Sequence, residues 1–141
     1  MTQEQKQLLL IDLCGRLPYG VKCRVQEDEF TYIGTLCKLE IDNANGNLLD
    51  FEESVSGLEW QVYLSEVKPY LFPLSSMTEE QRKELFYLSG IDIIYGKFYT
   101  NSEFTLEETL SGINWLLKNH FDINGLIPKG LAIDATNLNI Y

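Results

Sequence analysis

Between Val21 and Leu64 the chain falls into successive short runs in which apolar residues recur at every second position, while the stretches on either side repeat with helical spacing and open on helix-start signatures. A chain patterned in this way has to place a run of consecutive strands between helical segments, which is an α+β arrangement. Val21, Cys23 and Val25 alternate with Lys22 and Arg24 as a half-buried strand. Phe30 and Tyr32 then keep one phase, and Cys37, Leu39 and Ile41 keep the other. Gly34 stands just before the switch and is expected at a bulge or bend. Asn45-Gly46 is a strong hairpin signal, Leu49 and Phe51 mark the returning strand, and Ser54 to Gly57 makes the next turn. Trp60, Val62 and Leu64 complete the alternation. The pattern predicts a curled, barrel-like, four-stranded antiparallel sheet from about residue 20 to 65, which Pro69 and Pro73 close off because neither can donate to a ladder.

Helices are predicted before and after the sheet. Thr2 with Gln5 forms a capping box for a helix over residues 3 to 14, ended by Gly15. Ser76 with Glu79 and Thr78 with Gln81 are overlapping boxes ahead of Leu85, Phe86 and Leu88, with a stop at Gly90. Thr105 with Glu108 opens a third helix, whose Leu106, Leu110, Ile113 and Leu117 share one face. The aromatic and β-branched stretch from Ile91 to Tyr99 reads as a short strand or a packed connector.

The chain has 141 residues, 45% of them hydrophobic, which is the size and composition of one folded domain over 1–141. Residues 1–74 supply the helix and sheet, and 75–141 the mainly helical part. The net charge is −10, and both halves share it: 12 acidic against 6 basic residues in 1–74, and 9 against 5 in 75–141. Neither half has the cation excess that phosphate neutralisation demands, so direct nucleic-acid binding and anionic-membrane binding are disfavoured. No segment has the charge pattern of a targeting signal or the length of a membrane span, and the chain reads as cytoplasmic.

Little in the sequence points to chemistry. Cys14, Cys23 and Cys37 are widely spaced, with no histidine nearby, and are expected as buried free thiols without a metal. His120 is the single histidine. It follows the apolar face of the third helix, where an imidazole can donate to the last carbonyls, and catalysis through it would need a nucleophile or carboxylate beside it. Gly125 and Gly130 have phosphate-loop spacing, but Leu131 and Ala132 stand where lysine and a hydroxyl are required, so the glycines are assigned to turns. Glu27-Asp28-Glu29, Glu52-Glu53 and Glu107-Glu108 read as solvated charge. Phe86, Tyr87, Tyr95, Phe98, Tyr99, Phe104 and Trp115 are dense for so short a stretch, and read first as core and second as a partner-binding patch. No catalytic, cofactor or metal residue is assigned.

The run from Lys68 to Glu80, with Pro73-Leu74-Ser75-Ser76-Met77-Thr78-Glu79-Glu80 its most specific part, taken with the stretch from Trp115 to Asp122 and with Gly125-Leu126-Ile127-Pro128-Lys129-Gly130-Leu131-Ala132, resembles small uncharacterised proteins of gut Bacteroides-type bacteria and their phages. The resemblance implies an origin and carries no activity. The expected function is therefore a non-enzymatic protein-interaction module, of the accessory kind found in phages and mobile elements, with another protein as partner and self-association left open. An acidic inhibitor or nucleic-acid mimic is the alternative, and an enzyme using carboxylates or His120 the third reading.

Overall fold

The computed structural model describes residues 1–41, 48–52 and 57–141. Thr2 caps the first helix, α1 (Gln3–Arg16): its hydroxyl accepts from the Gln5 amide, and the Gln5 side chain accepts from the Thr2 amide. Two amides that a helix start leaves without partners are satisfied, and such a cap contributes about 1 kcal/mol. Gly15 does not end this helix. It faces Leu117 of a later helix, where an added Cβ would stand 3.5 Å from the side chain, an ordinary contact distance. The chain turns instead at Gly20, at φ +64, after one 3-10 turn.

The strands are β1 (Lys22–Glu27), β2 (Phe30–Glu40), β3 (Leu48–Glu52), β4 (Glu59–Tyr63), β5 (Val67–Leu71), β6 (Asp92–Ile94), β7 (Lys97–Tyr99) and β8 (Ile133–Asp134). The main sheet has six of them, in the order β4-β3-β2-β1-β5-β8, and is open, where a four-stranded barrel-like sheet was expected. The first four strands do form the expected antiparallel meander; the two extra strands come from residues beyond 65. β5 pairs antiparallel with β1, and β8 pairs parallel with β5.

Pro69 does not stop the ladder, because it falls at a position that needs no donor. It sits opposite Cys23. At the next position the Tyr70 carbonyl and the Lys22 amide face one another, joined through the Tyr141 hydroxyl. Hydrogen-bonding and non-bonding pairs alternate along an antiparallel ladder, so the nitrogen of Pro69 faces away from β1.

Gly34 is also placed differently from expectation. It pairs in regular register with Cys23, and the irregularity lies between Leu36 and Lys38, so Cys37 is the bulged residue. The phase switch is real, with the inward positions moving from Gly34 and Leu36 to Leu39, but the glycine serves packing. A Cβ at Gly34 would lie 3.0 Å from Trp60 Cη2 and 3.1 Å from Phe51 Cβ. The Asn45-Gly46 turn, Glu53, and residues 54–56 of the following turn lie outside the described residues.

Leu9 and Leu13 of α1 pack with Val21, Cys23, Val25, Leu36, Leu49, Phe51 and Leu71 into the larger core. A smaller core gathers Leu85, Ile91, Ile93, Leu116 and Phe121 beneath α2 (Glu79–Ser89), α3 (Leu106–Lys118) and the β6–β7 hairpin. Thr78 with Gln81 forms the capping box that α2 uses, Gly90 ends that helix at φ +69, and Thr105 with Glu108 caps α3. The two helices touch at Gly112, where an added methyl would collide with Ser89.

Candidate functional site

The buried side of α3 is formed by Gly112, Leu116 and Leu117, with Ile113 half-buried against the smaller core, so the C-terminal half of the face expected to be core is buried and its first half is turned outward. Leu106 is 75% and Leu110 50% exposed. The helix turned this way because Gly112 permits the close approach of α2, which a bulkier apolar residue at that position would prevent. The aromatic set follows the same trend. Phe86, Tyr87, Tyr95, Phe98 and Tyr99 are all exposed, leaving Phe104 and Trp115 half-buried. Core packing therefore accounts for a minority of that set.

The exposed residues are arranged around one ion pair. Arg82 Nη2 of α2 donates to Asp92 Oδ1 of β6 at 3.0 Å. On one side of Arg82 lies a groove of about 220 Å³ bordered by Phe86 and Tyr87; on the other lies one of about 210 Å³ bordered by Ile93 and Tyr95. Cross-strand pairing sets Tyr99 beside Asp92 and Lys97 beside Ile94, so these four share the outward face of the hairpin, while Ile93 points into the smaller core. Phe86 continues the surface to Tyr87, with centroids 6.3 Å apart, and to Phe104, at 6.1 Å.

The hairpin turn is its most unusual part. Ile94 pairs with Lys97, so Tyr95 and Gly96 form a two-residue loop, with φ +52 and +73. Positive φ at both positions defines a type I′ turn, whose first place normally takes asparagine, aspartate or glycine. A tyrosine held there is strained by about 1 kcal/mol, and this one is 99% exposed, so packing does not offset the cost.

His120 lies elsewhere, after the C-terminus of α3, also in the left-handed region at φ +62. The side chain that caps the helix is that of Asn119, whose Nδ2 donates to the Trp115 carbonyl at 2.8 Å; the His120 backbone amide donates to Leu117. The imidazole instead lies flat on Tyr141, with centroids 3.8 Å apart and planes 10° from parallel. Its Nδ1 is buried without a partner. Burial, followed by the Arg16 and Lys22 charges, lowers its pKa to about 4. Among the described residues no cysteine, serine or carboxylate is hydrogen-bonded to the ring, so the geometry assembles no nucleophile–base pair around it.

The remaining candidates are dispersed. Glu27, Asp28 and Glu29 lie at the exposed β1–β2 turn, Glu107 and Glu108 in the first turn of α3, and Glu52 is exposed on β3. Cys14 and Cys37 are exposed free thiols and Cys23 is buried, so one of the three matches the burial expected. The glycine-spaced segment is closed on itself, because the Leu126 and Ile127 amides donate to the Asp122 carboxylate at 2.8 and 2.9 Å. Those amides are spoken for, and Gly125 and Gly130 make turns at φ +65 and +70. Among the described residues, no cluster of three histidine, cysteine or acidic side chains is placed to hold a metal ion, and no helix is long and apolar enough to cross a membrane.

No family model, curated protein or solved structure matches the chain. The chemistry of its own surface is what bears on function.

Proposed function

We propose that the chain is a non-enzymatic protein-interaction module whose contact face is formed by α2, the β6–β7 hairpin and the exposed side of α3. The observation that carries this reading is Tyr95: a tyrosine presented to solvent at the tip of a turn that disfavours it contributes nothing to the fold that asparagine would not supply better. Exposed tyrosines flanking an ion pair make a contact core of the composition that protein interfaces favour. From Glu79 to Leu110 the charged side chains are Glu79, Glu80, Glu84, Asp92, Glu103, Glu107 and Glu108 against Arg82, Lys83 and Lys97, so the face suits a partner rich in lysine or arginine. The association with a phage or mobile element rests on the sequence resemblance.

The test is capture of partners from native-host extract on the wild-type protein and on Tyr87→Ala and Tyr95→Asn variants in parallel, quantified by mass spectrometry. A protein retained by the wild type, lost from both variants and released by added salt is expected. Equal recovery on all three baits would overturn the assignment of this face.

A further inference from the structure

The chain carries 21 acidic residues, yet the cleft between the start of α2, the end of α3 and the C-terminal segment has no acidic side chain in its lining. It measures about 490 Å³, within the range of small-molecule sites. One wall is aromatic: Tyr141 stacks on His120 and tilts against Phe72, with centroids 5.9 Å apart. At its rim stands Lys118, which has no hydrogen-bond or ion-pair partner among the described residues. Thr136 and Asn137 add side-chain polar groups that the fold does not use, and Asn137, like His120, is held in the left-handed region at φ +70. Asparagine adopts that region readily, so His120 is the strained residue of the two, and strain at a cleft wall is found where backbone geometry is set by a site. Lys118 is the cationic side chain in the lining.

We propose that this cleft binds a small organic anion with a planar ring, of which an aromatic carboxylate is the simplest representative. The ring packs against the Phe72, His120 and Tyr141 wall, and the carboxylate pairs with Lys118 while accepting from Thr136 or Asn137. A neutral ring would forgo the Lys118 contact, and a ringless anion would forgo the wall. This site is distinct from the tyrosine face and does not depend on it.

The experiment is an NMR titration of the intact protein with benzoate, with neutral benzamide and inorganic phosphate as comparisons, repeated on Lys118→Gln. Benzoate is expected to shift the resonances of Lys118, His120 and Tyr141 saturably, with Kd about 1 mM, as suits a ligand of its size. Benzamide and phosphate should bind at least about tenfold more weakly, and Lys118→Gln should weaken benzoate by about tenfold, the scale of one charge-assisted hydrogen bond. Lys118 is exposed, so the variant keeps its fold, which its unchanged spectrum away from the cleft will show. No saturable shift, equal binding of benzamide, or an affinity indifferent to Lys118→Gln would each overturn the proposal.

Discussion

Arg16 and Asp12 meet one helical turn apart with both side chains fully buried, Arg16 Nε donating to Asp12 Oδ2 at 2.7 Å. The pair also ties α1 to the segment after α3. Arg16 Nη2 donates to the Phe121 carbonyl at 2.7 Å, and Asn124 Nδ2 donates to Asp12 Oδ1 at 2.8 Å. Breaking such a pair leaves an uncompensated buried charge, whereas replacing both partners by apolar residues removes the desolvation penalty with the attraction. Asp12→Ala should therefore cost about 3–5 kcal/mol in urea unfolding. Asp12→Leu combined with Arg16→Met should recover most of that loss. A double variant as unstable as the single would show that the links to Phe121 and Asn124 outweigh the pair.

His120 predicts a pH dependence. Its folded pKa lies near 4, below the ordinary 6.5, so the unfolded chain binds more protons between those values. The contribution is fully present above 6.5 and is lost as the pH falls through that window toward 4. NMR titration of the imidazole should give a midpoint near 4, and in the same window His120→Phe should lose less stability than the wild type. A midpoint near 6.5 would mean that the ring is not enclosed by Tyr141 as described.

Gly112 sets how close α2 and α3 come. Alanine there gains about 1 kcal/mol in helix propensity but drives a methyl into Ser89, which is fully buried and bonded to the Leu85 carbonyl. Overpacking of this kind costs about 1–3 kcal/mol, so Gly112→Ala is expected to lower the unfolding free energy on balance. Thermal melts of Gly112→Ala beside those of an exposed control, Ser111→Ala, will check the sign.

Local chemistry was legible where it was self-contained. Thr2, Thr78 and Thr105 all cap helices with the partners three residues on that their sequence named, and Val21, Cys23 and Val25 are all buried as their alternation required. Features decided by distant contacts were not. Gly34 is a glycine because of Trp60, and the outward turn of Leu106 and Leu110 follows from Gly112 against Ser89. β5 joined the sheet because pairing register decides whether Pro69 matters, and β8 because the chain returns beside β5 from a distance of about sixty residues; neither is written locally. One missed signal was present: Asp12 and Arg16 share the helical spacing of Leu9 and Leu13, so their charges fall on the buried face. For the contact face, the density of aromatics was visible, but their exposure depended on how α3 and the hairpin settled on the smaller core.

The strain at Tyr95 separates fold from function. Asparagine at the first position of a type I′ turn relieves it, so Tyr95→Asn should raise stability by about 0.5–1 kcal/mol. The midpoint of thermal unfolding should rise by about 2 °C, on the scale expected for a domain of this size. Lower stability would mean that Tyr95 supports the hairpin.

The most direct measurement is the recovery of captured partner on Tyr95→Asn relative to wild type, with both baits confirmed folded. A partner-binding hairpin predicts that the variant is at least as stable and loses the partner by tenfold or more, the effect of about 1.4 kcal/mol at a contact centre. Undiminished recovery on a stable Tyr95→Asn bait would contradict it.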